Sequence, residues 1–145
     1  MAVKIKAVLQ NFQSKLEAMG RFASVSIGQP TSPPNSPHAA VDLERYENAG
    51  TTLSGTIERR IVRVRIYHIL PTQEPSADLE FLLDDIVAEF MEDVWGDFDL
   101  GGVVRNVEPL GTGVNFGYLQ VAQTWFRIVD ISLPMIVDDS ATFVQ

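Results

Sequence analysis

Apolar and polar residues alternate most regularly between Ile57 and Leu70, in the stretch IERRIVRVRIYHIL. Val62, Val64, Ile66 and His68 fall on one side of a period-two pattern, and Ile61, Arg63, Arg65 and Tyr67 on the other. Period two with β-branched residues on both sides predicts a long central strand. One face offers Val62, Val64 and Ile66 to a core. The other sets Arg63 and Arg65 between Ile61 and Tyr67, which makes it amphipathic rather than simply polar.

Elsewhere the period changes. Ile5, Val8, Leu9, Phe12, Leu16 and Met19 recur at helical spacing, and Gly20 is placed to end that helix in a left-handed conformation. Phe22–Ile27 alternates as a strand. Residues 28–37, GQPTSPPNSP, hold four prolines and predict a loop. Val41–Tyr46 reads as a short strand and Asn48–Ala49–Gly50 as a turn, so Val41 to Leu70 forms a long hairpin. A second helix is expected over 76–95, with Leu79, Leu82, Leu83, Ile86, Phe90 and Val94 as its buried stripe. Asp78 and Glu80 in its first turns suit the helix dipole. WGDFDLGG (95–102) reads as a turn region, Val103–Glu108 as a short strand and LGTGVNFG (110–117) as a glycine-rich loop. From Tyr118 period two returns and continues to Leu133. Pro134 marks an edge or the end of that strand, and 138–145 reads as a loose tail. The predicted architecture is α+β: two helices packed on one face of a mostly antiparallel sheet, with a projecting long β-hairpin.

At 145 residues and 46% hydrophobic, the chain suits one domain, 1–145, with a sizeable core. It has no cysteine, which excludes a disulfide framework and a thiolate zinc site. No apolar run is long enough to span a bilayer and no secretory leader is recognisable, so a soluble protein folded inside a cell is expected. The charge is lopsided. Residues 1–70 hold nine Lys/Arg against five Asp/Glu, while residues 71–145 hold two against fourteen. Basic residues are too few and too dispersed for a general nucleic-acid binder. Acidic and basic portions within one chain suit binding to further copies or to a charged partner.

Candidate chemistry is sparse. His38 is expected in the proline-rich loop and His68 near the end of the central strand, and neither has a neighbour at metal-ligand spacing. GTGVNFG lacks the lysine and hydroxyl of a phosphate loop and precedes a strand rather than a helix. Asp84 and Asp85 are adjacent and diverge on a helix, and nothing desolvates the Asp85/Glu89 pair. No nucleophile elbow or triad pattern is present. The expectation is a protein that is not an enzyme and uses no cofactor and no metal. Arg63 and Arg65 are either solubilising residues or an interface. The interface expectation pairs them with Asp84, Asp85 or Glu89 of a neighbouring copy, because the 76–95 helix has no basic residue of its own.

The order of these elements, from the amphipathic helix to GYLQVAQTWFRIVDISLPMIV, resembles the tail terminator (tail completion) proteins of long-tailed bacteriophages. The resemblance spans most of residues 3–137 and lies in pattern and length rather than in any one motif. It implies a small α+β subunit that closes into a hexameric ring, caps the last ring of tail-tube protein and stops its polymerisation. The opposite face of the ring would receive the head-completion or connector proteins, and phage DNA would pass through the lumen without specific binding. The resemblance places the protein in the virion, at the head-proximal end of the tail, after assembly in the host cytoplasm, with no membrane involved. Residues 28–37 and 48–55 would face a neighbouring ring. Related head–tail connector and tail-tube proteins share these elements, and a soluble adaptor that binds one protein without forming a ring is the alternative from another class.

Overall fold

Two helices cover one face of a single twisted sheet, and the sheet is built outward from its central strand. The computed structural model describes residues 5–52, 55–70, 77–97, 100–101, 104, 106–108 and 112–138. In chain order the elements are α1 (Ile5–Met19), β1 (Ser24–Ile27), β2 (His38–Thr52), β3 (Gly55–Ile69), α2 (Ala77–Trp95), β4 (Asn106–Val107), β5 (Gly113–Val121) and β6 (Thr124–Asp138). The sheet runs β1-β2-β3-β6, and β6 then pairs with β4 near its end and with β5 along its first half. Only the β1–β2 pair is parallel. The fold is α+β, as the periodicities predict.

Both helices bury the stripe expected of them. Val8, Phe12 and Leu16 of α1 and Leu83, Ile86, Phe90 and Val94 of α2 pack into one core with Val62, Val64 and Ile66 of β3. From β6, Val129, Ile131, Leu133 and Met135 complete it. The Phe12 and Phe90 rings meet at 6.2 Å between centroids, tilted by 51°. Gly20 ends α1 at φ 68°, the left-handed conformation that a glycine adopts without a side-chain clash. After α2, Asp97 organises the exit: its Oδ1 accepts a bond from the Gly101 N–H at 2.9 Å, and its carbonyl accepts one from Leu100 N–H at 2.9 Å. Leu100 takes a left-handed φ of 51° and is fully buried, with its carbonyl held by Asn11 Nδ2 at 3.1 Å.

The strands depart from expectation in several places. The turn expected at Asn48–Ala49–Gly50 is absorbed into β2 as a shift of register between Asn48 and Gly50, so β2 runs on to Thr52. His38 opens β2 rather than sitting in the loop, and it is buried. The hairpin does not stand clear of the sheet along β3, because β6 accompanies β3 as far as Ile57 opposite Asp138. Gly113–Gly117 belongs to a strand, β5, which a glycine-rich composition hid. The long strand expected from Tyr118 is in fact a hairpin, β5 and β6 joined by a two-residue turn with Ala122 at φ 54°.

That turn reverses parity. Leu119 and Val121 share a face with Phe126 and Ile128, not with Trp125 and Arg127 as uninterrupted alternation would place them. Pro134 lies inside β6 and is tolerated because its carbonyl, and so its missing N–H, faces away from β3: Glu108 N–H donates to Pro134 O at 2.8 Å. The expected strand at Val103–Glu108 is observed as β4 alone, with Val103 and Arg105 outside the described residues, as is the expected tail at 139–145.

Phe90 is fully buried at the meeting of both helices and the sheet. Phe90→Ala is expected to cost about 3–5 kcal/mol, read as a lower denaturant midpoint at unchanged slope.

Candidate interaction surface

Among the described residues, the face of the sheet that carries no helix holds most of the charge pairs. Because Val62, Val64 and Ile66 are taken by the core, period two turns Arg59, Ile61, Arg63, Arg65 and Tyr67 of β3 to the other side. Pairing register then brings Asp42 of β2 opposite Arg63, and Asp130 of β6 opposite Arg65. Arg63 donates from Nε to Asp42 Oδ1 at 3.0 Å and from Nη2 to Oδ2 at 2.6 Å. Arg65 donates from Nε to Asp130 Oδ1 at 2.6 Å and from Nη2 to Oδ2 at 2.9 Å. Both are two-pronged, half-buried pairs of the geometry that a guanidinium fork suits. Each bond to a carboxylate raises the arginine's pKa against the desolvation of its site, Arg65 the more strongly, so neither charge is ever lost.

Toward the far end of this face lies a groove of about 580 Å³ lined by Glu44, Glu47, Arg59, Glu108, Ile61 and Pro134, among others. Its charges are mutually engaged. Arg59 donates to Glu108 at 2.6 and 3.3 Å and reaches Glu47 at 3.5 Å, Arg45 donates to Glu47 at 3.0 Å and also bonds Glu44, and Ser132 Oγ donates to Glu44 at 2.9 Å. The bond from Arg45 leads the causes that hold the Glu47 carboxyl below its ordinary pKa. A carboxylate so placed stays ionised and is a poor general acid.

The opposite end is apolar. Tyr67, Phe126, Ile128, Val121 and Ala40 form a second, smaller cluster, with the Tyr67 and Phe126 rings edge to face at 5.7 Å. Tyr67 OH donates to Gln29 Oε1 at 2.5 Å, which fastens the proline-rich loop to the sheet. His38 stands beside it with both ring nitrogens engaged, Nδ1 with Ser24 Oγ at 2.6 Å and Nε2 with Ser26 Oγ at 3.0 Å. Burial is the leading cause that lowers its pKa, against a bond from Ser24 that raises it.

The candidate interface residues divide between the two sides of the molecule. Arg63 and Arg65 lie on the helix-free face and are satisfied within the chain. Asp84, Asp85 and Glu89 lie on α2, across the sheet from them. Asp84 and Asp85 are exposed, while Glu89 is bonded to Arg21 Nε at 2.9 Å. The acidic helix thus draws cations from other elements of its own chain. Arg127 of β6 grips Glu80 at 2.7 and 3.1 Å, and Lys15 of α1 meets Asp97 just beyond the helix at 2.7 Å. Asp42 and Asp130, the residues that neutralise the arginines, escaped the sequence reading. Their signal was there in outline: Asp42 alternates with Val41 and Leu43, and Asp130 with Val129 and Ile131, but their meeting with Arg63 and Arg65 requires the strand order. Among the described residues no group of three or more His, Asp or Glu side chains could hold a metal ion. No family model matches the chain, and no curated protein sequence matches it either.

Two outcomes follow from these contacts. With the pairs in view, Arg65→Ala is expected to cost about 1–3 kcal/mol in urea unfolding, and the double variant with Asp130→Ala less than the two single losses together. His38, neutral in the fold, should make stability depend on pH. Its folded pKa is lowered below 6.5, so the unfolded chain binds its proton first. Stability is therefore full above pH 6.5, falls as the pH drops through the folded pKa and levels off below it. Urea midpoints measured from pH 7.5 down to about 5, above the carboxylate range, should show this slope, and His38→Gln should flatten it.

Proposed function

We propose that the protein is a structural subunit of a bacteriophage tail, which closes into a hexameric ring at the end of the tail tube. The ring stops tube growth and presents its other face to the head-completion proteins. The observation that carries this reading is the charge ladder of the helix-free face, a wide polar surface whose groups are already paired and fixed in place. Four arginines there (Arg45, Arg59, Arg63, Arg65) are bonded to Asp42, Glu44, Glu47, Glu108 and Asp130. Paired groups of this kind give a contact surface of definite shape, and Glu47, whose carboxyl is held below its ordinary pKa, is a poor general acid. They also leave no excess of positive charge to hold the phosphates of a passing DNA. The order of elements, α-β-β-β-α followed by three further strands, supports the same reading.

A ring closes through a heterologous contact, which uses two different surfaces of the same subunit. Arg63 and Arg65 on one side of the sheet and Asp84 and Asp85 on the other satisfy that requirement of position. The arginines enter such a contact already paired with carboxylates of their own subunit, whereas Asp84 and Asp85 carry exposed charge to a neighbour's cations.

Light scattering across a concentration series, with and without purified tail-tube protein, tests the reading. A mass near six subunits and tubes of arrested length are expected; a chain that never caps a tube would end the proposal. Asp84→Lys with Asp85→Lys should weaken ring formation and capping, while the melting curve of the monomer stays nearly unchanged because both side chains are exposed.

A further inference from the structure

The outermost strand, β5, lacks the devices that keep the edge of a sheet from recruiting another strand. Among the described residues it pairs with β6 alone. It carries no charged residue and no proline over nine residues, GVNFGYLQV, whereas edges exposed in monomers usually carry lysine, proline or a bulge. The two-residue turn fixes which of its backbone groups are open. Val121 and Thr124 form the first hydrogen-bonded pair, so the odd residues of β5 turn their N–H and C=O groups toward β6. Trp125 confirms the phase: it stands opposite Gln120 in a pair without hydrogen bonds, and its carbonyl is taken on the other side by Leu70 N–H at 3.3 Å. Val114, Phe116, Tyr118 and Gln120 therefore present both backbone groups to the open edge and their side chains to the helix side. There Val114 is 36% exposed, Phe116 44%, Tyr118 61% and neighbouring Trp125 51%.

We propose that this edge binds a second copy of the chain, β5 lying antiparallel to β5 across a twofold axis at Gly117. Charge identifies the occupant. The chain has a net charge of −8, so copies repel one another on approach unless the contact avoids their acidic residues. The stretch from Pro109 to Val129 contains no Asp or Glu, and Arg127 is its only charged residue. A twofold contact sets each residue against its own kind or its near neighbours, so an acid-free, uncharged strand is what self-pairing requires. Geometry fits as well. Gly117 is the midpoint of β5, so full overlap places Phe116 across from Tyr118 of the second copy and Val114 across from Gln120. Both are hydrogen-bonded pairs, and the two aromatic contacts lie on one face. The contact is isologous and separate from the heterologous one that closes a ring, so it stands or falls apart from the ring proposal.

The chain contains no cysteine, so one introduced thiol reports on one contact. Gly117 meets its own counterpart in a pair without hydrogen bonds, where Cα atoms lie about 4.5 Å apart, within disulfide reach. A Cβ at Gly117 makes only ordinary contact with Ile128 side-chain atoms at 3.8 and 4.0 Å. Gly117→Cys is expected to form a covalent dimer on mild oxidation, at a yield that rises with concentration, while Gln123→Cys in the turn does not. In sedimentation equilibrium without oxidant at micromolar concentrations, the unaltered chain should have twice the mass of a variant that blocks the edge, whether that variant runs as the 16.1 kDa chain or as a ring. Phe116→Lys, or Val114→Lys if the first fails to fold, should keep the lower mass and a cooperative melt. Folded Gly117→Cys that stays uncrosslinked, or a lysine variant that associates as well as the unaltered chain, overturns the proposal. So does an unaltered chain that assembles only into rings or remains monomeric throughout.

Discussion

The register of β3 between β2 and β6 is the constraint on which the rest of the molecule depends. A strand has two faces, and a slip of one residue exchanges them. In the observed register Val62, Val64 and Ile66 meet the helices, while Arg63 falls opposite Asp42 and Arg65 opposite Asp130. Slipped by one, three arginines would enter an apolar core and the branched side chains would face the charged side. Hydrophobic burial and charge pairing thus select the same alignment from opposite sides of one strand. The pairs on the helix-free face contribute specificity whatever their net stabilisation, which for half-buried ions is modest because desolvation offsets much of the attraction.

The same division organises the surfaces. On the helix side, acidic residues outnumber the cations that Lys15, Arg21 and Arg127 bring to them, and Asp84 and Asp85 remain exposed. On the other side, charges are paired and bonded in place from Arg65 to the Glu44/Glu47/Glu108 groove, and give way to the small apolar cluster around Tyr67. A protein that works by contact needs surfaces that differ in this way, one with its charges paired and fixed, one with acidic charge exposed.

How much of this could be read beforehand depended on whether the signal was local. Both helices were legible because Val8, Phe12 and Leu16, and Leu83, Ile86 and Phe90, repeat within a few residues of each other. The inward face of β3 was legible for the same reason. The β5/β6 turn was not, because Ala122–Gln123 contains neither glycine nor asparagine and the alternation of residue types continues straight through it. Gly113–Gly117 misled in the other direction, since glycine marks loops more often than strands. The arginine partners were hidden for a different reason. Asp42 and Asp130 are 21 and 65 residues from their arginines in the chain, and only the strand order brings them within reach. Position along the chain could nominate Arg63 and Arg65 as notable, but it could not say that their valence was already filled.

Arg127 stands at a junction that links layers otherwise held by separate forces. Its guanidinium is bonded to Glu80 of α2, donates to Gly117 O at 3.2 Å and lies over the Tyr118 ring at 4.5 Å and the Phe116 ring at 5.6 Å. One side chain of β6 therefore ties the first turn of the acidic helix to the middle of the edge strand. Any event that loads the edge, by engaging Phe116 or Tyr118, changes the surroundings of the charge that anchors the helix. A disturbance of the helix start reaches the edge by the same route. The outer strand and the acidic surface of α2 are in this sense a single mechanical unit, although in the chain β4 lies between them.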